Sequence, residues 1–137
     1  GYVHGVNVPG RGGVIQVFVS ADPATAAIRK LFFQRLESPG GAALRAKDTR
    51  AQFAGLSLAD FYKHDYYAAA EPDNAADKVA RLKAPDGLSE AARPDWDATL
   101  RGVRKNLILL DLFAFERRHE PFYRRATEAL QKREVKP

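Results

Sequence analysis

"DPATAAIRKLFFQRLESPGG", residues 22 to 41, is the stretch on which the fold turns. Asp22 before Pro23 has the form of a helix start: an oxygen-bearing cap, then a residue whose fixed φ suits the first helical position. Ile28, Leu31, Phe32, Arg35 and Leu36 then recur at helical spacing on one face, and "SPGG" (38 to 41) stops the run. The stretch therefore predicts an amphipathic helix. If it is a helix, the strand character further upstream has no third strand to join.

That upstream segment is residues 1 to 21. "VIQVFVS" (14 to 20) is short and β-branched, "YVHGVNV" (2 to 8) alternates loosely, and "PGRGG" between them supplies turn residues. A hairpin or an extended arm is expected there, and a lone two-stranded hairpin is marginal in water without something to pack on. Downstream, "AALRAKDTRAQFAG" (42 to 55) reads as a polar helix closed by Gly55. Ser57 can cap a helix carrying Leu58, Phe61, Tyr62 and Tyr66, and Asp73 can cap another that ends at "APDG" (84 to 87).

Residues 84 to 94, with two prolines and a glycine, read as a linker. Beyond it Trp96, Leu100, Val103, Leu107, Leu110 and Ala114 alternate spacings of four and three, widened by Ile108, Leu112 and Phe115. This predicts a helix over 95 to 119, about 25 residues or about 37 Å. Pro121 breaks it, and "FYRRATEALQKRE" continues as a basic last helix. The expected fold is mainly α: amphipathic helices including one long C-terminal helix, with a short N-terminal β-hairpin or extended arm. Its regions are 1 to 21 (arm or hairpin), 22 to 83 (short helices), 84 to 94 (linker) and 95 to 137 (long helix, Pro break, basic helix).

The apolar fraction is 45%, much of it alanine, and large core-formers are clustered, which argues against a single deep core. The absence of cysteine excludes disulfides, thiolate zinc sites and cysteine nucleophiles. No apolar run approaches the roughly 20 residues of a membrane span. The chain begins at Gly1 and holds no methionine, which reads as a processed or partial chain and leads to an expectation of import into an organelle. Net charge is +5; residues 1 to 100 carry 12 Lys/Arg and 12 Asp/Glu, whereas 101 to 137 carry 10 and 5. The excess thus belongs to the C-terminal quarter.

His64 in "KHDYY" and His119 in "RHEP" each sit beside a carboxylate, but neighbours in a helix diverge by about 100° and cannot act as a base and its orienting acid. No two histidines stand at metal-binding spacing. "GRGG" precedes a strand instead of joining a strand to a helix, so it is a turn and not a phosphate loop. No catalytic residue, metal ligand or cofactor is expected. The aromatic and cationic clusters "FYKHDYY" and "HEPFYRR" suit a contact surface.

"IRKLFFQRL" (28 to 36) resembles, over nine residues, the leucine-tyrosine-arginine signature of small three-helix mitochondrial proteins that dock on acyl carrier protein. Phenylalanine replaces the tyrosine and Phe33 replaces the arginine, so no function is carried over. The expected function is a non-catalytic accessory or scaffold subunit of a larger assembly, of the mitochondrial membrane-bound kind (respiratory chain or ATP synthase). Its partner interface would comprise Trp96, Leu100, Val103, Leu107, Leu110, Phe61, Tyr62, Phe122 and Tyr123. Arg117, Arg118, Arg124 and Arg125 would meet acidic partners or anionic lipid head groups. The alternative is an organellar ribosomal or other RNA-binding protein, and a small hydrolase stands third.

Overall fold

A computed structural model describes residues 1 to 63 and 77 to 118. Three strands, β1 (Tyr2–Pro9), β2 (Val14–Ala21) and β3 (Ile28–Leu36), form an antiparallel meander in the order β1-β2-β3. Short helices α1 (Gly41–Arg45), α2 (Lys47–Ala51) and α3 (Leu58–Lys63) follow, and then a 3₁₀ turn (Glu90–Ala92) leads into α4 (Arg93–Phe113). Helices account for 38% and strands for 24% of the described residues, so the chain is not mainly α, although the one long helix is present.

The expected helix at 22 to 36 is a turn followed by β3. Asp22 does what a helix cap does: its Oδ1 accepts from the amides of Ala24 (2.8 Å) and Thr25 (3.1 Å). The turn does not propagate. Ala26 takes a left-handed φ of 59°, and the Asp22 amide donates to the Ala27 carbonyl, closing a loop that sends the chain back along β2. The helical spacing of the apolar residues has an equally local origin. β3 pairs with β2 through Leu36–Ile15, Arg35–Gln16, Phe33–Val17, Phe32–Phe18, Leu31–Val19, Lys30–Ser20 and Ile28–Ala21, leaving Gln34 and Arg29 without a partner. Each is a β-bulge, which turns a spacing of two into three. Ile28, Leu31, Phe33 and Leu36 therefore share the inner face, and Phe32 lies on the outer one.

Helix α4 covers the inner face of β1 and β2. It carries two buried rows, not one. The predicted row of Trp96, Val103, Leu107 and Leu110 is buried, and beside it lie Asp95, Ala98, Thr99, Gly102, Asn106 and Asp111. Gly102 sets the distance of approach, since a Cβ there would lie 2.5 Å from Val17 Cγ1. One turn on, the Asn106 side chain, fully buried, donates to the Val17 carbonyl (3.0 Å) beside the Gln34 bulge and to the Gly102 carbonyl (3.2 Å). Its Oδ1 accepts from His4 Nδ1 (2.9 Å), so helix, central strand and β1 are tied through one amide.

At the other end Asp95 Oδ1 accepts from the Arg11 amide (2.7 Å) in the β1–β2 turn, and Oδ2 accepts from the Ser38 hydroxyl after β3. The core is continuous from the sheet through Phe53, Leu58 and Phe61 to α4, with Trp96 set edge-on to Phe53 at 5.9 Å, where a single deep core was not expected.

Further differences concern boundaries. The expected helix at 42 to 55 is split at Ala46, whose ψ of 140° is extended. At the start of α3 Asp60 Oδ2 accepts from the Ser57 amide and hydroxyl, and the Asp60 amide donates to the Ser57 carbonyl. Of the expected 74 to 83 helix, the described part forms turns. Helix α4 begins two residues before 95 and ends at Phe113, well short of the expected 119. Glu116 and Arg117 there take left-handed φ values of 55° and 59°, and the Arg117 amide reaches back to the Asp111 carbonyl. This reversal folds Phe115 onto Tyr2, edge to face at 5.4 Å. Pro121 and the last basic helix lie outside the described residues.

Two stability predictions follow from these contacts. Alanine at Gly102 gains about 1 kcal/mol of helix propensity and incurs an overpacking cost of about 1–3 kcal/mol. Because the clash is with the central strand, Gly102→Ala is expected to lower the urea midpoint. For Asp22, the hydrogen bond from Arg29 first, then the Thr25 and Ala24 amides, hold its carboxyl at about 2, against an ordinary 3.8. The carboxylate is bound better in the fold than in the open chain, so its contribution is complete above the unfolded value and is lost as pH falls through about 2. Asp22→Asn should be less stable than the parent at neutral pH, with the gap closing below about pH 4, as read by urea unfolding of both proteins across the acid range.

Candidate functional site

Antiparallel sheets commonly bury one face and present polar side chains on the other. Here the outer face carries Val3 (58% exposed), Val14 (39%) and Phe32 (37%), with half-buried Phe18 between. Phe18 and Phe32 stack across β2 and β3 with centroids 5.2 Å apart and planes at 16°. The Phe18 ring occupies the space beside Gly5, where a Cβ would meet it at 2.5 Å, so the glycine admits the ring onto β1. Polar residues of the same rows are Asn7, Gln16, Ser20, Lys30 and Arg35. Among the described residues, α4 packs on the opposite face and α1 and α2 lie along β3.

The free edge of β3 is closed by guanidinium groups. Arg45 Nη1 donates to the Phe33 carbonyl (2.9 Å) and Arg50 Nη1 to the Leu31 carbonyl (3.3 Å). The Gly55 amide donates to the Ile28 carbonyl and the Ile28 amide to the Leu56 carbonyl, both at 2.8 Å. An edge strand left bare would template pairing with another chain. The same arrangement leaves a cleft of about 390 Å³ between β3 and α2, lined by Arg29, Lys30, Phe32, Lys47, Arg50 and the small Ala51 and Ala54. A smaller hollow beside it is lined by Phe32, Phe33, Arg45 and Arg50. Arg29 is paired with Asp22 at 2.6 Å, whereas Lys30, Arg45, Lys47 and Arg50 form no ion pair among the described residues.

The residues singled out in the sequence go elsewhere. Trp96, Val103, Leu107, Leu110 and Phe61 are buried in the chain's own core, with Leu100 and Tyr62 partly buried around it. Burial, opposed by the nearby Arg104 and assisted by Asp111, pushes the Tyr62 hydroxyl above its ordinary pKa. Arg117 and Arg118 are exposed after α4, and Arg118 Nη1 donates to the Ala24 carbonyl (3.1 Å) in the β2–β3 turn. Phe122, Tyr123, Arg124, Arg125, His64 and His119 lie outside the described residues. The cleft was missed because the charge balance over residues 1 to 100 sums to zero, although "LRAKDTR" (44 to 50) holds three cations against one acid.

Among the described residues no group of three histidines or acids converges as a metal site would, and no helix is long and apolar enough to cross a membrane. His4 is engaged with Asn106 and Ser38 with Asp95, so the described serine, histidine and acid belong to separate hydrogen-bond sets. No family model, curated protein or solved structure matches the chain. The arrangement offers binding chemistry: stacking on an aromatic face, apolar contact, and uncompensated positive charge in a concave site.

Proposed function

We propose that the chain is a non-catalytic subunit that joins a larger assembly through the outer face of its sheet, with the mitochondrial membrane-bound complex suggested by the sequence as the first kind of assembly to search. The outer-face side chains Val3, Val14, Phe18 and Phe32 carry this reading, because apolar side chains on a face that the described residues leave uncovered mark contact sites. The long helix does not supply the surface, since its apolar rows are used inside the fold. A partner that covers the face would bury two phenylalanines and two valines, and Lys30 at its margin favours acidic groups on that partner, whereas Arg35 is already paired with Glu37.

RNA binding is a second reading, favoured by the cleft beside Phe32, where cations without carboxylate partners border an aromatic ring. The two readings use neighbouring surfaces and are separable. Val3→Lys with Val14→Lys changes side chains that are already solvated on the outer face and leaves the core and the cleft intact. In lysate from the native source, the tagged parent should sediment with an assembly and the double variant as a free chain, while both unfold at the same urea concentration. A parent that sediments alone, or a variant that stays in the assembly, contradicts docking by this face.

A further inference from the structure

We propose that the cleft between β3 and α2 is a nucleotide site, which takes a base against Phe32 and the attached phosphate among Lys30, Lys47 and Arg50. This rests on the RNA reading above and gives it a place and a ligand chemistry. Three observations meet there. The cleft, about 390 Å³, falls within the usual range for small-ligand sites, and Ala51 at the end of α2 and Ala54 in the turn after it keep that wall low. Its cations are not neutralised: Arg50 is turned towards main-chain carbonyls of Leu31 and Arg45, and Lys30 and Lys47 are exposed without an ion pair. Arg29, the fourth cation, is already committed to Asp22.

The third observation is the ring. Phe32 stacks on Phe18 and also lines the cleft, so the stack holds the ring before a ligand arrives. Base stacking on such a ring tolerates any base, and phosphate contacts carry no sequence information, so the site has the chemistry of sequence-tolerant binding. Arg50 serves twice, closing the strand edge through Nη1 and lending its charge to the cleft. A nucleotide unit can come from a single strand or from a free mononucleotide. The shared requirement is a planar base with a phosphate within reach.

The test uses the full chain and fluorescence anisotropy of a labelled single-stranded oligouridylate over a salt series, with AMP and inorganic phosphate as competitors. Lys30→Gln with Lys47→Gln removes two solvated charges and leaves Arg50 on its carbonyl, so the fold is preserved. It should weaken oligonucleotide binding and lower the salt slope by up to about 0.7, the increment for the one phosphate held there. Phe32→Leu should weaken binding by about tenfold with the slope unchanged, as loss of one stacked base does. Oligouridylate binding much tighter than AMP supports a strand as occupant, and AMP competition equal per nucleotide supports a free nucleotide. Competition by phosphate alone, equal to that by AMP, overturns the role of the ring. Binding that survives in K30Q/K47Q but falls with Arg117→Gln and Arg118→Gln overturns this site while leaving the RNA reading standing. No binding of any ligand at low salt overturns both.

Discussion

Arg29 and Gln34, the two residues of β3 with no partner on β2, set the terms for the rest of the molecule. Without these bulges a nine-residue strand would alternate strictly, and its apolar residues would fall on both faces. With them, Ile28, Leu31, Phe33 and Leu36 reach the core together, and Phe32 is turned outward to meet Phe18. The carbonyls of Leu31 and Phe33 face the open edge, where Arg50 and Arg45 accept the task of satisfying them. Core, outer face and cleft are consequences of these two bulges.

Helix α4 depends on the same strand system from the other side. The helix approaches β2 closely because residue 102 is glycine, and Asn106 meets the Val17 carbonyl at the point where the register slips. The buried amide engages both of its donors and its carbonyl oxygen, and leaving any of those partners unpaired would cost more than the bond itself contributes. The hydrophobic stripe that looks like a surface for another protein is therefore satisfied inside the chain. On the proposed reading, contact with a partner falls to the sheet's outer face and the cleft.

Part of this was legible in the sequence. The β1–β2 hairpin follows from β-branched alternation around "PGRGG", the long helix from its sustained spacing, and the start of α3 from Ser57. The third strand was not legible, for two physical reasons. A bulge at each end gives a strand the three-residue spacings of a helix, and Asp22 captures amides in a tight turn as it would at a helix start. Gly102 and Asn106 fall outside the apolar spacing that predicted the helix, although they are the residues that fit it to the sheet. The cleft was hidden by averaging, because Lys30, Lys47 and Arg50 are brought together across a turn and a strand edge while acids elsewhere cancel them in the sum.

Adjacent phenylalanines separate a strand from a helix at 28 to 36. In the bulged strand Phe33 is 7% exposed and Phe32 37%, whereas a helix with Ile28, Leu31, Phe32 and Leu36 inward would bury Phe32 in place of Phe33. Urea unfolding of Phe33→Ala and Phe32→Ala measures which ring the core holds. The bulged strand predicts a loss of about 3–5 kcal/mol for Phe33→Ala and of about 1 kcal/mol for Phe32→Ala, the size of one aromatic pair. A larger loss at Phe32 than at Phe33 would contradict the strand, and with it the outer face and the cleft.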